Sequence, residues 1–91
     1  MRLDLFLKAS RLCLRRSVAQ ELCDADAVKV NGNTAKAGRA INPGDLITIE
    51  RRDRVLTVRV ESVPQTKQVA RAEAASLYTV VEDRKREDLH T

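Results

Sequence analysis

Five basic side chains, Arg2, Lys8, Arg11, Arg15 and Arg16, fall within the first sixteen residues, where Asp4 is the only acid. That stretch carries +4, equal to the net charge of the whole chain, while residues 17–52 and 53–91 each balance to zero. Charge gathered in one place and balanced elsewhere is the pattern of a footprint for an anionic partner. Four of the five are arginines, whose planar guanidinium presents paired donors matched to phosphate. A helix opening at Ser17 would aim its unpaired N-terminal N–H groups toward the same place. Gln20 follows Ser17 at the spacing of a capping box. Phosphate suits this set of donors, and nucleic acid is the partner class that repeats it.

No comparable set supports catalysis. The chain has no glycine-rich phosphate loop, and its single histidine, His90, is the penultimate residue. Cys13 and Cys23 lack metal-site spacing and read as two buried, reduced thiols. Asp24 and Asp26 read as a polar turn ending a helix. A binding protein without metal or cofactor is expected, not an enzyme. The only aromatics are Phe6 and Tyr78, and Phe6 falls on an apolar face, so a stacking platform for single strands is not offered. A DNA-reading helix-turn-helix would place its second helix against phosphates. Here that helix would expose Gln20, Glu21 and Asp24, two of them acidic. Structured RNA read by backbone and shape is favoured, with a DNA-binding helix-turn-helix module and a protein adaptor as the other classes.

The elements that must position these groups follow from periodicity. Leu3, Phe6 and Leu7 share one face of a short helix, and Leu12–Arg16 breaks the pattern. Val18, Ala19, Leu22 and Cys23 resume it on a second helix. Val28–Val30 alternates as a strand, and Asn31-Gly32 predicts a tight turn returning through Asn33–Lys36. Asn42-Pro-Gly-Asp45 fits a type II turn. Leu46–Glu50 and Val55–Val63 are strands, the second with Leu56, Val58 and Val60 on one side, joined by the mixed-charge turn Arg51–Arg54. Pro64 is expected to close the sheet. Helical spacing of Val69, Ala70, Ala74, Leu77 and Tyr78 predicts a C-terminal helix over 66–81. The expected fold is α+β: two N-terminal helices packed on a sheet of about three to five short strands, plus that helix. The corresponding divisions are 1–63, a helical segment 64–81 packing on it, and a charged flexible tail 82–91. No apolar run is long enough to span a membrane and no secretory leader is recognisable, so a cytoplasmic protein is expected.

Four motif pieces in order, Arg2-Leu-Asp-x-Phe-Leu, Arg16-Ser-x-Ala-x-x-Leu22, Val28-x-Val-Asn-Gly32 and Pro43-Gly-Asp45, resemble the S-four RNA-binding domain, named after a small-subunit ribosomal protein. The resemblance implies an αL-type α+β module whose first two helices form the RNA-facing surface. Arg2-Leu-Asp-Leu-Phe-Leu-Lys8, Asn31-Gly-Asn-x-Ala-Lys36 and Glu73-Ala-Ala-x-x-Tyr78 are similar to the stand-alone members acting in bacterial ribosome-associated quality control. A related heat-shock group that binds ribosomes carries a longer, basic C-terminal extension, which the neutral residues 53–91 do not match. The resemblance implies docking on a large ribosomal subunit blocked by peptidyl-tRNA, contact with ribosomal RNA and tRNA, and support of C-terminal tailing of the stalled chain by a partner factor, as a monomer off the ribosome. By matched position Arg2, Lys8, Arg15, Arg16 and Lys36 meet phosphates, with Arg11 in the same cluster and Ser17 and Gln20 at the start of the second helix. The connection Cys13-Leu-Arg15 departs from the more polar or glycine-containing one common in the family.

Overall fold

Helix α1, Leu3–Ala9, starts without a side-chain cap in the computed structural model, which describes residues 1–66 and 69–85. Its first N–H groups find acceptors far along the chain. Leu3 N–H donates to the Arg39 carbonyl at 2.7 Å and Asp4 N–H to the Ala37 carbonyl at 3.1 Å. The Met1 carbonyl accepts from Ile41 N–H, and Arg2 bridges Ala40 in antiparallel fashion. Donors that a helix start leaves unpaired are thus satisfied by tertiary structure. Helix α2 spans Arg16–Asp24. Leu3, Phe6, Leu7, Ala19 and Cys23 are at most 1% exposed, as their three-and-four spacing requires. Val18 is a correction: it is 38% exposed, so the buried stripe of α2 is narrower than the sequence suggests.

The sheet is antiparallel in the order β2-β1-β3-β4-β5, with β1 Val28–Val30, β2 Asn33–Thr34, β3 Leu46–Glu50, β4 Arg54–Val60 and β5 Tyr78–Lys85. Asn31 and Gly32, at φ 53° and 87°, make the two-residue turn between β1 and β2. Gly44, at φ 94°, occupies the position where a type II turn needs positive φ. The Asn31 side chain joins both turns, accepting from Leu46 N–H and donating to Asp45. Register aligns Val30, Ile47 and Val58 in one row and Val28, Ile49 and Leu56 in the next. Five of these six are buried in one core with α1 and α2, and Leu56 is half-buried.

The C-terminal part differs from expectation. Helix α3 is only Arg71–Ala74, followed by a 3-10 turn, Ala75–Leu77. Residues 78–85 form β5 beside β4, crossing the boundary placed at residue 82, so Pro64 does not close the sheet. The reason is pairing: β4 would otherwise present an open edge, and Thr79, Val80 and Val81 are good strand formers. Residues 67, 68 and 86–91 of the expected helix and tail lie outside the described residues. Ala74 and Leu77 are nonetheless buried, and the Leu77 carbonyl accepts from Glu61 N–H, so this segment packs on the domain.

Phe6, fully buried, is the largest side chain of the core. Phe6→Ala should cost about 3–5 kcal/mol in urea unfolding, a large part of the roughly 5–15 kcal/mol that holds a domain together. A loss below about 1 kcal/mol would contradict the packing described.

Candidate nucleic-acid interface

The basic residues are organised by an acid. Asp4 is fully buried, yet every hydrogen bond it needs is present. Its Oδ1 accepts from Leu5 N–H at 2.8 Å and from Arg2 Nε at 3.1 Å. Its Oδ2 accepts from Arg16 Nε and Gln20 Nε2, both at 3.1 Å, and more weakly from Arg2 Nη2 at 3.4 Å. Burial by itself would raise the Asp4 pKa, but the bonds from Gln20, Arg16 and Arg2 outweigh it and hold the carboxyl below its ordinary range. Arg2 and Arg16 side chains remain 49% and 39% exposed. One carboxylate therefore ties α1 to α2 and fixes two guanidiniums with their outer edges in solvent. Gln20 is a correction: it serves Asp4, α2 begins at Arg16 behind Arg15, and no side chain caps it, so the capping box with Ser17 is not formed.

The connection between the helices forms an exposed corner. Arg11 follows the end of α1 at φ 63°, where glycine is the usual occupant and an L side chain costs roughly 1–2 kcal/mol. Leu14 is 81% exposed and Arg15 lies beside it, also exposed. Among the described residues, Arg15 has no side-chain partner, and the N–H groups of Arg16, Ser17 and Val18 have no protein acceptor. These free donors open α2 next to the Arg16 guanidinium. Arg51, from the β3–β4 turn, reaches back to the corner and donates to the Leu12 carbonyl at 3.1 Å and Cys13 Sγ at 3.6 Å. Burial pushes the Cys13 thiol up, partly offset by Arg51, and pushes Cys23 up to about 11, with Asp4, Asp24 and Cys13 adding to it. Both cysteines are free.

Arg2, Arg16 and Gln20 thus converge on Asp4, with Arg15 and Ser17 adjoining through the chain. Lys36 is exposed in the loop that caps α1, and the same loop passes the Arg2 guanidinium so closely that a side chain at Gly38 would touch it. Lys8 is exposed in the last turn of α1, and Arg11 turns toward the Val69 carbonyl at 3.5 Å, so neither joins the Asp4 cluster. Sequence reasoning missed Asp4, Arg39 and Arg51. Asp4 left a signal, an acid between the core positions Leu3 and Phe6. Arg39 and Arg51 left none, because loop capping and the reach across the corner are long-range contacts.

Two short helices meeting at an exposed basic corner, backed by an antiparallel sheet, define an RNA-binding module, and the model of the S4 domain family matches residues 1–47. The chain belongs to the S4 domain family. Over most of its length it is similar to proteins named RQC P-site tRNA stabilizing factor. That of Bacillus subtilis is 41% identical over 93% of this chain and 96% of its own. That of Halalkalibacterium halodurans is 45% identical over 88% of this chain and 89% of its own. Among solved structures, Vibrio cholerae heat shock protein 15, described as trimeric, superposes with a TM-score of 0.79 at 29% identity, over 89% of this chain and 81% of that one.

Replacing Asp4 by asparagine should cost about 1.5–3 kcal/mol at neutral pH, the range of a hydrogen bond to a charged group. Because the folded Asp4 pKa is lowered, its stabilisation is full above the ordinary value near 3.9 and is lost as pH falls through the folded value. Urea unfolding of parent and Asp4→Asn should therefore differ by a constant amount above about pH 5 and converge as pH falls below the ordinary carboxylate range.

Proposed function

We propose that this protein is a non-catalytic RNA-binding factor that docks on a large ribosomal subunit holding peptidyl-tRNA. There it contacts ribosomal RNA and the tRNA and stabilises the tRNA while a partner factor extends the stalled chain at its C-terminus. The observation that carries this reading is the free N-terminal edge of α2, flanked by Arg15 and the Asp4-fixed guanidiniums of Arg16 and Arg2. Backbone and side-chain donors there address one phosphate chain. Lys36 and Arg39 extend the line of positive charge along the loop, and Lys8 and Arg11 border it. The names of the relatives supply the ribosomal context. The heat-shock-type alternative has less support, because residues 53–91 carry no net charge to serve as a basic extension. A protein that works there is cytoplasmic, and we expect it to be monomeric off the ribosome.

Two measurements test this. If about four phosphates are neutralised, affinity for tRNA or ribosomal subunits should fall roughly a hundredfold between about 50 and 200 mM salt. Flat salt dependence would exclude a phosphate-dominated interface. Arg15→Ala should weaken binding by about 1.5–3 kcal/mol without lowering the melting temperature, since among the described residues it has no side-chain partner to lose. Arg16→Ala should weaken binding and also destabilise the fold, because it strips a bond from Asp4. Arg52→Ala, in the mixed-charge turn, should change either by well under 1 kcal/mol. Equal losses at Arg15 and Arg52 would mean that diffuse charge alone drives binding.

A further inference from the structure

Beside the corner lies a cleft of about 180 Å³ lined by Leu12, Ile49, Arg51, Arg54 and Leu56. It exists because Ile49 and Leu56 are paired neighbours in one inward-facing row of the sheet, and Leu56 is left only half-covered. Leu12 forms the wall toward the helices. Arg51 is held against that wall by its bonds to Leu12 and Cys13, and Arg54 is held from the other side by Asp83, at 3.2 Å.

We propose that this cleft takes an unpaired nucleobase from the RNA whose phosphates lie on the corner, an inference that rests on the RNA-binding reading above. The walls fit that chemistry. Leucine and isoleucine side chains present an apolar surface for a flat ring, and guanidinium planes stack on bases and donate to their edges. The cleft is smaller than the ~300–1,000 Å³ typical of sites for drug-sized ligands, which suits a single ring system. It also adjoins the charged corner along the chain. Leu12 adjoins Arg11 and is three residues from Arg15, no more than about 11 Å along an extended chain. Phosphates on the corner and a base in the cleft can therefore belong to neighbouring nucleotides. A chain without an aromatic platform gains from this a way to hold a base.

Adenosine 5′-monophosphate, ribose 5-phosphate and N-acetyl-leucinamide, each titrated into the methyl-labelled full chain and followed by NMR, test the assignment. The nucleotide should shift the methyl signals of Leu12, Ile49 and Leu56, and ribose 5-phosphate should leave them in place. Leu12→Asp should weaken the nucleotide about fivefold, roughly 1 kcal/mol. Arg54→Gln, at the exposed start of β4, should weaken it about threefold, and serves if Leu12→Asp does not fold. Equal shifts with ribose 5-phosphate would reduce the cleft to an anion site. Shifts with N-acetyl-leucinamide alone would make it a protein-docking surface. Either result, or no methyl shift with the nucleotide, overturns the proposal. Salt-dependent tRNA binding measured alongside keeps its fate separate from that of the RNA-binding reading: tRNA that binds without moving these methyls sinks only the cleft.

Discussion

A buried carboxylate in a small domain is a cost unless all its lone pairs are used, and Asp4 uses them on groups from both helices. The arrangement settles how α1 and α2 meet, because Arg16 and Gln20 on α2 can reach Asp4 only in that orientation. It also settles where Arg2 and Arg16 point. An arginine on a free surface loses considerable side-chain entropy when it grips a phosphate. Here part of that entropy is already lost in folding, and the outer donors are set before any ligand arrives. The acid lowers the local positive charge, yet it makes the remaining charge directional.

The same economy runs through the rest of the molecule. The loop 36–40 caps α1 with carbonyls and carries Lys36 and Arg39 past Arg2. The β3–β4 turn sends Arg51 to the connection between the helices, where the Leu12 carbonyl accepts its hydrogen bond. Loop and turn residues thus hold the helical corner from both sides, and the sheet supplies the rigid floor on which it rests. The strained Arg11 stands out against this background, since a glycine there would relieve the backbone.

Much of this was legible in the sequence. The three-and-four spacing of Leu3, Phe6 and Leu7 gave the inner face of α1, and the Asn31-Gly32 and Pro43-Gly44 pairs marked both tight turns. The concentration of charge picked out the helical corner. What could not be read was what burial does to a charge. Asp4 counted as one negative among five positives, although its position makes it the centre of the cluster. Gln20 stood at capping-box spacing, but a buried carboxylate is the more demanding partner. In the last third, alanines and alternate apolar residues imitate a helix. The competing fact, an unpaired β4 edge waiting for Thr79–Val81, is a property of the folded sheet and is not encoded in the local spacing.

Capping of α1 by the carbonyls of Ala37 and Arg39 makes this surface depend on chain that lies well beyond it. A seven-residue helix has little stability of its own. Its first turn is completed only when a loop more than thirty residues downstream has returned to it, so the corner and the hairpin form as one cooperative unit. The two helices cut out as a peptide would keep every arginine of the corner and lose the geometry that aims them. During synthesis, the positive charge of the corner becomes a shaped surface only after the chain has passed Ile41.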